Sequence, residues 1–155
     1  MSIDGLSDAK IVEIMARVRT IAVVGASNNP DRPSYGVMQF LIARGYTVHP
    51  VNPGLAGPGL AGPGLAGKDI LGRRVYARLI DVPAPVDMVD IFRNSDAALG
   101  VVQDAIAAKD KLSISVVWMQ LGVIHQQAAD AARAAGIEAV MDRCPAIELH
   151  RLDRT

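Results

Sequence analysis

A chain of 155 residues, half of them hydrophobic and 21% charged, fits one globular domain with a core large enough to need no disulfide or metal staple. Lys plus Arg equals Asp plus Glu at 16 each, which gives no sign of a general nucleic-acid or membrane footprint. The single cysteine, Cys144, rules out an intrachain disulfide and fits a reducing, cytoplasmic setting; the opening MSIDGLSDAK lacks the basic and apolar regions of a signal peptide, and every apolar run stops well short of the ~18 residues of a membrane span.

Residues 7–19 read as an amphipathic helix, with Ile11, Ile14, Met15 and Val18 recurring at the helical period and Ser7 suited to the N-cap. Thr20–Val24 is an apolar run ending at Gly25, as expected of a strand buried on both faces. A Pro-rich loop over 25–33 leads to a second helix, marked by Val37, Phe40 and Leu41 on its inner face and by Gly45 just past its end. Residues 46–51 form the second strand, which Asn52-Pro53 stops. The pentapeptide GLAGP then repeats across 54–67, too short for a solenoid and readable as a tandem expansion of a surface loop, or alternatively as a lid.

Val75-Tyr76 offers one more short strand and residues 87–92 a longer one. Ser95 is placed to cap a helix running to about Lys109, with Leu99, Val102 and Ile106 inward. Residues 114–119 are strand-like, 126–135 form an Ala-rich helix ended by Gly136, and 137–141 make a last strand. This alternation predicts a Rossmann-like three-layer α/β/α domain with a mostly parallel sheet, spanning residues 1–155. In such a sheet ligands gather beyond the carboxyl ends of the strands. The loops leaving from Gly25, Val51, Phe92 and Met119 therefore share one edge.

The first strand–loop–helix unit, IAVVGASNNPDRPSYGVMQFL, carries the strongest functional signal. Gly25 permits a sharp turn and close approach of a ligand. Ser27 offers a hydroxyl and an amide, and Pro33, Ser34 and Tyr35 open a helix whose free N–H groups favour phosphate. Arg32, beside that start, can add a bidentate contact. A dinucleotide held in the usual way is disfavoured: G-x-G-x-x-G is absent, and the second strand ends in Val51-Asn52-Pro53 rather than in an acid for the ribose. A Walker A loop is absent as well.

Five segments, VGAS-x-x-P-x-RPSYGVM, GYTVHPVNP, PVDMVDIFR, VVWMQLG and VMDRCP, together resemble the small single-domain CoA-binding proteins, which are related in fold to the CoA-binding domain of the succinyl-CoA synthetase α subunit. The likeness covers roughly residues 8–150. It implies coenzyme A as the bound cofactor. Gly25, Ala26 and Ser27 with Arg32, Ser34 and Tyr35 would hold its phosphates, and Val51, Asn52 and Pro53 would line the adenosine side. Phe92 and Arg93 would form the next wall, then Met119, Gln120, Leu121 and Gly122. Lys68 is the nearest match to a lysine that follows the second strand in the synthetase-like domains.

The synthetase reaction uses a phosphorylated histidine on a second domain, which has no counterpart in these 155 residues, and the implied function is coenzyme A or acyl-CoA binding without an evident catalytic set. His49, His125 and His150 have no metal-site spacing and are expected in structural or surface roles. Asp87, Asp90 and Asp142 are expected as solvated or capping carboxylates at strand ends. Cys144, before Pro145 and beside Arg143, is expected as a packed residue; the alternatives are a nucleophile toward a CoA thioester or a redox partner of the CoA thiol. An oligomer or a partner enzyme is left open.

Overall fold

Helices and strands alternate along the chain. α1 (Asp8–Arg17) leads into β1 (Thr20–Val24), α2 (Pro33–Ala43) and β2 (Thr47–Val51); β3 (Asp69–Ile70) and β4 (Arg73–Arg74) form a small antiparallel pair. A 3-10 turn at Leu79–Asp81 precedes β5 (Met88–Ile91), α3 (Ser95–Leu112), β6 (Val116–Met119), α4 (Gln126–Ala134), β7 (Glu138–Val140) and α5 (Pro145–Leu152). This computed structural model describes residues 2–52 and 69–152. Pro53, Lys68 and the GLAGP repeat lie outside the described residues.

The main sheet has the order β2-β1-β5-β6-β7, and all four of its ladders are parallel. Every residue of β1, β5 and β6 is buried, which is why β1 and β6 read as near-continuous apolar runs rather than alternating ones. One face of the sheet packs Ala22, Val24, Val89, Ile91 and Val117 against α3 and α4. The other packs Ile21, Val23, Met88 and Trp118 against α1, α2 and α5. The expected three layers are thus present, with β1 between β2 and β5.

Local chemistry explains the element ends. Ser7 caps α1 by accepting from the Lys10 amide at 3.1 Å. Helix α3 is capped not by Ser95 but by Asn94, whose side chain accepts from the Ala97 amide at 2.9 Å. The Ser95 hydroxyl instead accepts from the Ile124 amide at 3.0 Å, pinning the loop after β6. Helix α3 continues past Lys109 to Leu112 and closes on Ser113 in the left-handed region. Val75-Tyr76 does not form a ladder of its own. Tyr76 makes one parallel bridge to Val51, with its amide on the Pro50 carbonyl and its carbonyl on the Asn52 amide, each at 3.0 Å.

Helix α5 was not expected from the sequence, and ion pairs anchor it to the N-terminal segment. Arg143, just before it, donates to both Asp4 oxygens (2.8 and 3.0 Å), to the Leu6 carbonyl (3.0 Å) and to Glu148 (3.2 Å). Asp4 also accepts from the Leu6 and Met141 amides. Burial alone would raise the Asp4 pKa, but these donors, Arg143 foremost, bring it down to about 2. Arg151 pairs with Asp8 and Glu148 on the outside of the same junction.

Candidate functional site

From β1 the chain moves outward to β2, then returns past β1 to β5. The switch point therefore lies between β1 and β5, where a parallel sheet opens a crevice at its carboxyl edge. Gly25 follows β1 there and Phe92-Arg93 follow β5. Gly25 has φ +89°, and a β-carbon on it would meet the Phe92 carbonyl and the Arg93 Cδ. The close approach that requires glycine is thus made by the protein's own backbone.

The turn after β1 is largely closed on itself. The amides of Gly25 and Ala26 donate to the Val51 carbonyl at 2.8 and 3.2 Å. The Ser27 amide donates to the Ser34 hydroxyl at 3.1 Å, and the Asn29 amide to the Ser27 hydroxyl at 3.0 Å. Asn52 reaches across to the Ala26 carbonyl at 2.6 Å. Ala26 and Ser34 are buried, whereas Arg32 is exposed and Tyr35 half-buried. The amides expected to face a ligand thus already have acceptors. What stays open is the start of α2, where no side chain caps the helix.

A cavity of about 630 Å³ lies along the α3 side of this edge, within the usual range for small-molecule sites. Val24 and Val51 form its floor at the ends of β1 and β2. Arg78, Leu79 and Ile80 close one side; Ala97, Gly100, Val101, Asp104 and Ala107 of α3 form the other, and Arg93 stands at the switch point. Of the residues expected from the sequence, Val51 and Arg93 line this cavity. Ser27, Arg32, Ser34 and Tyr35 belong to the α2 side of the edge. Met119, Gln120, Leu121 and Gly122 lie farther along, at the end of β6. There Gly122 donates to Asp142 at 2.7 Å, Leu121 is exposed, and Gln120 is buried with its Oε1 unpartnered among the described residues.

Charge in the cavity is unevenly satisfied. Arg93 is half-buried, and its guanidinium has no carboxylate or carbonyl partner among the described residues. Among the described residues Arg78 has only Asp81, at 3.3 Å from Nε and from one terminal nitrogen. Asp104 of α3 faces the same space.

The remaining candidates fall elsewhere. Cys144 is buried in the cluster on the α1, α2 and α5 face, with Trp118 and Val140, and not in the cavity. His125 caps α4, its Nδ1 accepting from the Ala128 amide at 3.0 Å. His49 lies edge-on to Tyr76 with ring centroids 6.0 Å apart, and burial lowers its pKa. His150 is exposed and edge-on to Phe40. Among the described residues no group of three His, Cys, Asp or Glu could hold a metal ion, and no helix is long and apolar enough to cross a membrane.

Of the three aspartates, two behave as expected. Asp87 accepts from the Arg19 and Thr20 amides, and Asp142 from Gly122. Asp90 does not. It sits mid-strand in β5, registered between Val23 and Trp118, fully buried with both oxygens unpartnered among the described residues. Burial raises its pKa well above the ordinary carboxylate value. The expectation of a solvated carboxylate fails because β5 is central and closed on both faces.

Residues 19–150 match the CoA binding domain family. The chain belongs to that family. The chain is similar to the uncharacterized protein YneT of Bacillus subtilis (strain 168), 31% identical over 138 residues that make up 89% of this chain and 90% of YneT. A solved hypothetical protein from Pyrococcus horikoshii OT3 is 35% identical, with a TM-score of 0.84 over 98% of this chain and 96% of its own. The fold recurs in a dinucleotide-forming acetyl-coenzyme A synthetase from Ca. Korarchaeum cryptofilum, at TM-score 0.63 and 23% identity. There the match takes 83% of this chain and 26% of the synthetase, and the likeness is one of fold. Membership of the CoA binding domain family supports coenzyme A binding in general.

Proposed function

We propose that this protein binds coenzyme A or an acyl-CoA at the β1/β5 switch point, with the adenosine end in the cavity against α3 and the pyrophosphate at Arg93. The observation that carries this reading is Arg93 itself. A half-buried arginine without a partner among the described residues, at the mouth of a cavity, calls for an anion. The open start of α2 and the exposed Arg32 add positive potential on the other side of Gly25. The small and apolar lining, Val24, Val51, Ala97 and Gly100, suits the flat face of a purine.

In this reading the residues of the turn, Gly25, Ala26 and Ser27, shape the site more than they donate to the ligand. Ser34 and Asn52 hold that turn in place, and Tyr35 and Phe92 pack beneath it. Met119, Gln120, Leu121 and Gly122 lie where the pantetheine arm would extend. The protein acts as a binding protein without turnover of its own. The burial of Cys144 on the other face of the sheet does not favour a thioester nucleophile or a redox thiol. A cytoplasmic setting belongs to the same reading and rests on the lone cysteine and balanced charge.

Isothermal titration with coenzyme A tests the assignment. The wild type should bind, and Arg93→Gln should bind tenfold or more weakly, since a charge-assisted contact is worth about 1.5–3 kcal/mol. No heat at millimolar ligand overturns the proposal.

A further inference from the structure

We infer that Arg78 reads the 3′-phosphate of the ligand's ribose, so that the site selects 3′-phosphorylated adenine nucleotides over their dephosphorylated counterparts. The inference rests on the proposed coenzyme A site and adds to it the residue that sets its specificity.

Two guanidinium groups line the cavity, and the topology holds them apart. Arg93 follows β5 at the switch point, against Gly25. Arg78 comes two residues after Tyr76, which bridges to Val51 at the end of β2. From β5 across β1 and β2 to Tyr76 is three strand spacings, roughly 14 Å at about 4.8 Å each. Two long side chains facing one cavity from such a separation suit two phosphoryl groups with a ribose between them. A single anion held at Arg93 would leave the outer guanidinium of Arg78 idle.

Arg78 is also suited to its task by how loosely it is held. Its bonds to Asp81 are long, at 3.3 Å, and the side chains are 71% and 46% exposed. Such a surface pair contributes little, and a phosphate dianion competes well for the same fork of donors. Across the cavity Asp104 presents a carboxylate. It repels an anion at the α3 wall and accepts from a hydroxyl or an amine, which orients the nucleoside with its phosphate toward Arg78. The end of β2 bears no acid to receive an unmodified ribose.

The test pairs two ligands with two variants in calorimetric titration. Wild type should bind coenzyme A at least tenfold more tightly than dephospho-coenzyme A. Arg78→Gln, an exposed change, should weaken coenzyme A about tenfold and leave dephospho-coenzyme A unchanged, and Arg78→Lys should restore part of the preference. Arg93→Gln should weaken both ligands alike. If Arg78→Gln weakens both ligands equally, or neither, the role of Arg78 is overturned while coenzyme A binding stands. Wild type that binds neither ligand overturns both.

Discussion

A β-carbon added to Gly25 would fall on the carbonyl oxygen of Phe92, with the carbonyl carbon only 2.9 Å away. The ends of β1 and β5 thus touch through backbone, and the switch point has no slack. Gly25 also has φ +89°, where an L-residue is strained whatever the space. Gly25→Ala should therefore lower the free energy of unfolding by about 3 kcal/mol or more, the range of large single-site effects. Urea denaturation would show it as a lower midpoint with an unchanged slope. A loss under about 1 kcal/mol would mean that β5 can retreat.

Asp90 makes stability depend on pH in the opposite sense to an ordinary salt-bridged acid. Its folded-state pKa is raised by burial. It therefore costs least below the unfolded value near 4, and stability is lost as pH rises from there through the raised folded pKa. Asp90→Asn keeps the shape and cannot ionise. The variant should match the wild type at pH 4 and exceed it by about 1 kcal/mol or more at pH 8. Paired urea titrations at the two values test this. An equal offset at both would show that ionisation is not the cause.

What could be read in advance followed from how much signal each segment carries alone. The runs at Thr20–Val24 and Val116–Met119 are apolar throughout because both faces are covered, and that is visible in composition. The turn at Gly25 and the place of Arg93 at a strand end followed from the same alternation. The α3 wall did not, because Ala97, Gly100 and Ala107 bear no chemistry of their own. Only their recurrence three and seven residues apart hints at a shallow helix face. Arg78 lies in a stretch without a strong period, and the bridge from Tyr76 to Val51 is what brings it to the cavity. Helix α5 is short, and Ile147 on it is exposed. Its partners, Asp8 by way of Arg151 and Asp4 by way of Arg143, are more than 130 residues away in sequence. Asp90 looked polar enough for a surface, and its depth became evident only with β6 beside it.

The junction of Asp4 with Arg143 should give way in acid. The carboxylate is out of solvent and its pKa stands at about 2 against an ordinary 3.8. A depressed acid stabilises the fold fully above the unfolded value and loses that contribution as pH falls through the folded one. The shift corresponds to about 2 kcal/mol. Asp4→Asn should cost about that much at pH 7, and the gap to wild type should close between pH 4 and pH 2. Thermal melts across that range provide the check, and a gap that persists at pH 2 would assign the loss to packing.

Cys144 should be silent toward thiol reagents while the protein is folded. It is 7% exposed and packed in the cluster that holds Trp118 and Val140. The neighbouring Arg143 is engaged by Asp4, Glu148 and the Leu6 carbonyl, so its charge is already matched. Thiolate chemistry needs access as well as a cation. Treatment with coenzyme A disulfide in buffer should leave the intact mass unchanged. In urea the same reagent should add one coenzyme A, at a rate that rises with the unfolded fraction. Modification of the native protein at the rate of a free thiol would place Cys144 in reach of ligand and revive the redox reading. Ligand binding in the cavity is independent of that outcome, since Arg93 and Arg78 line a cavity to which Cys144 does not contribute.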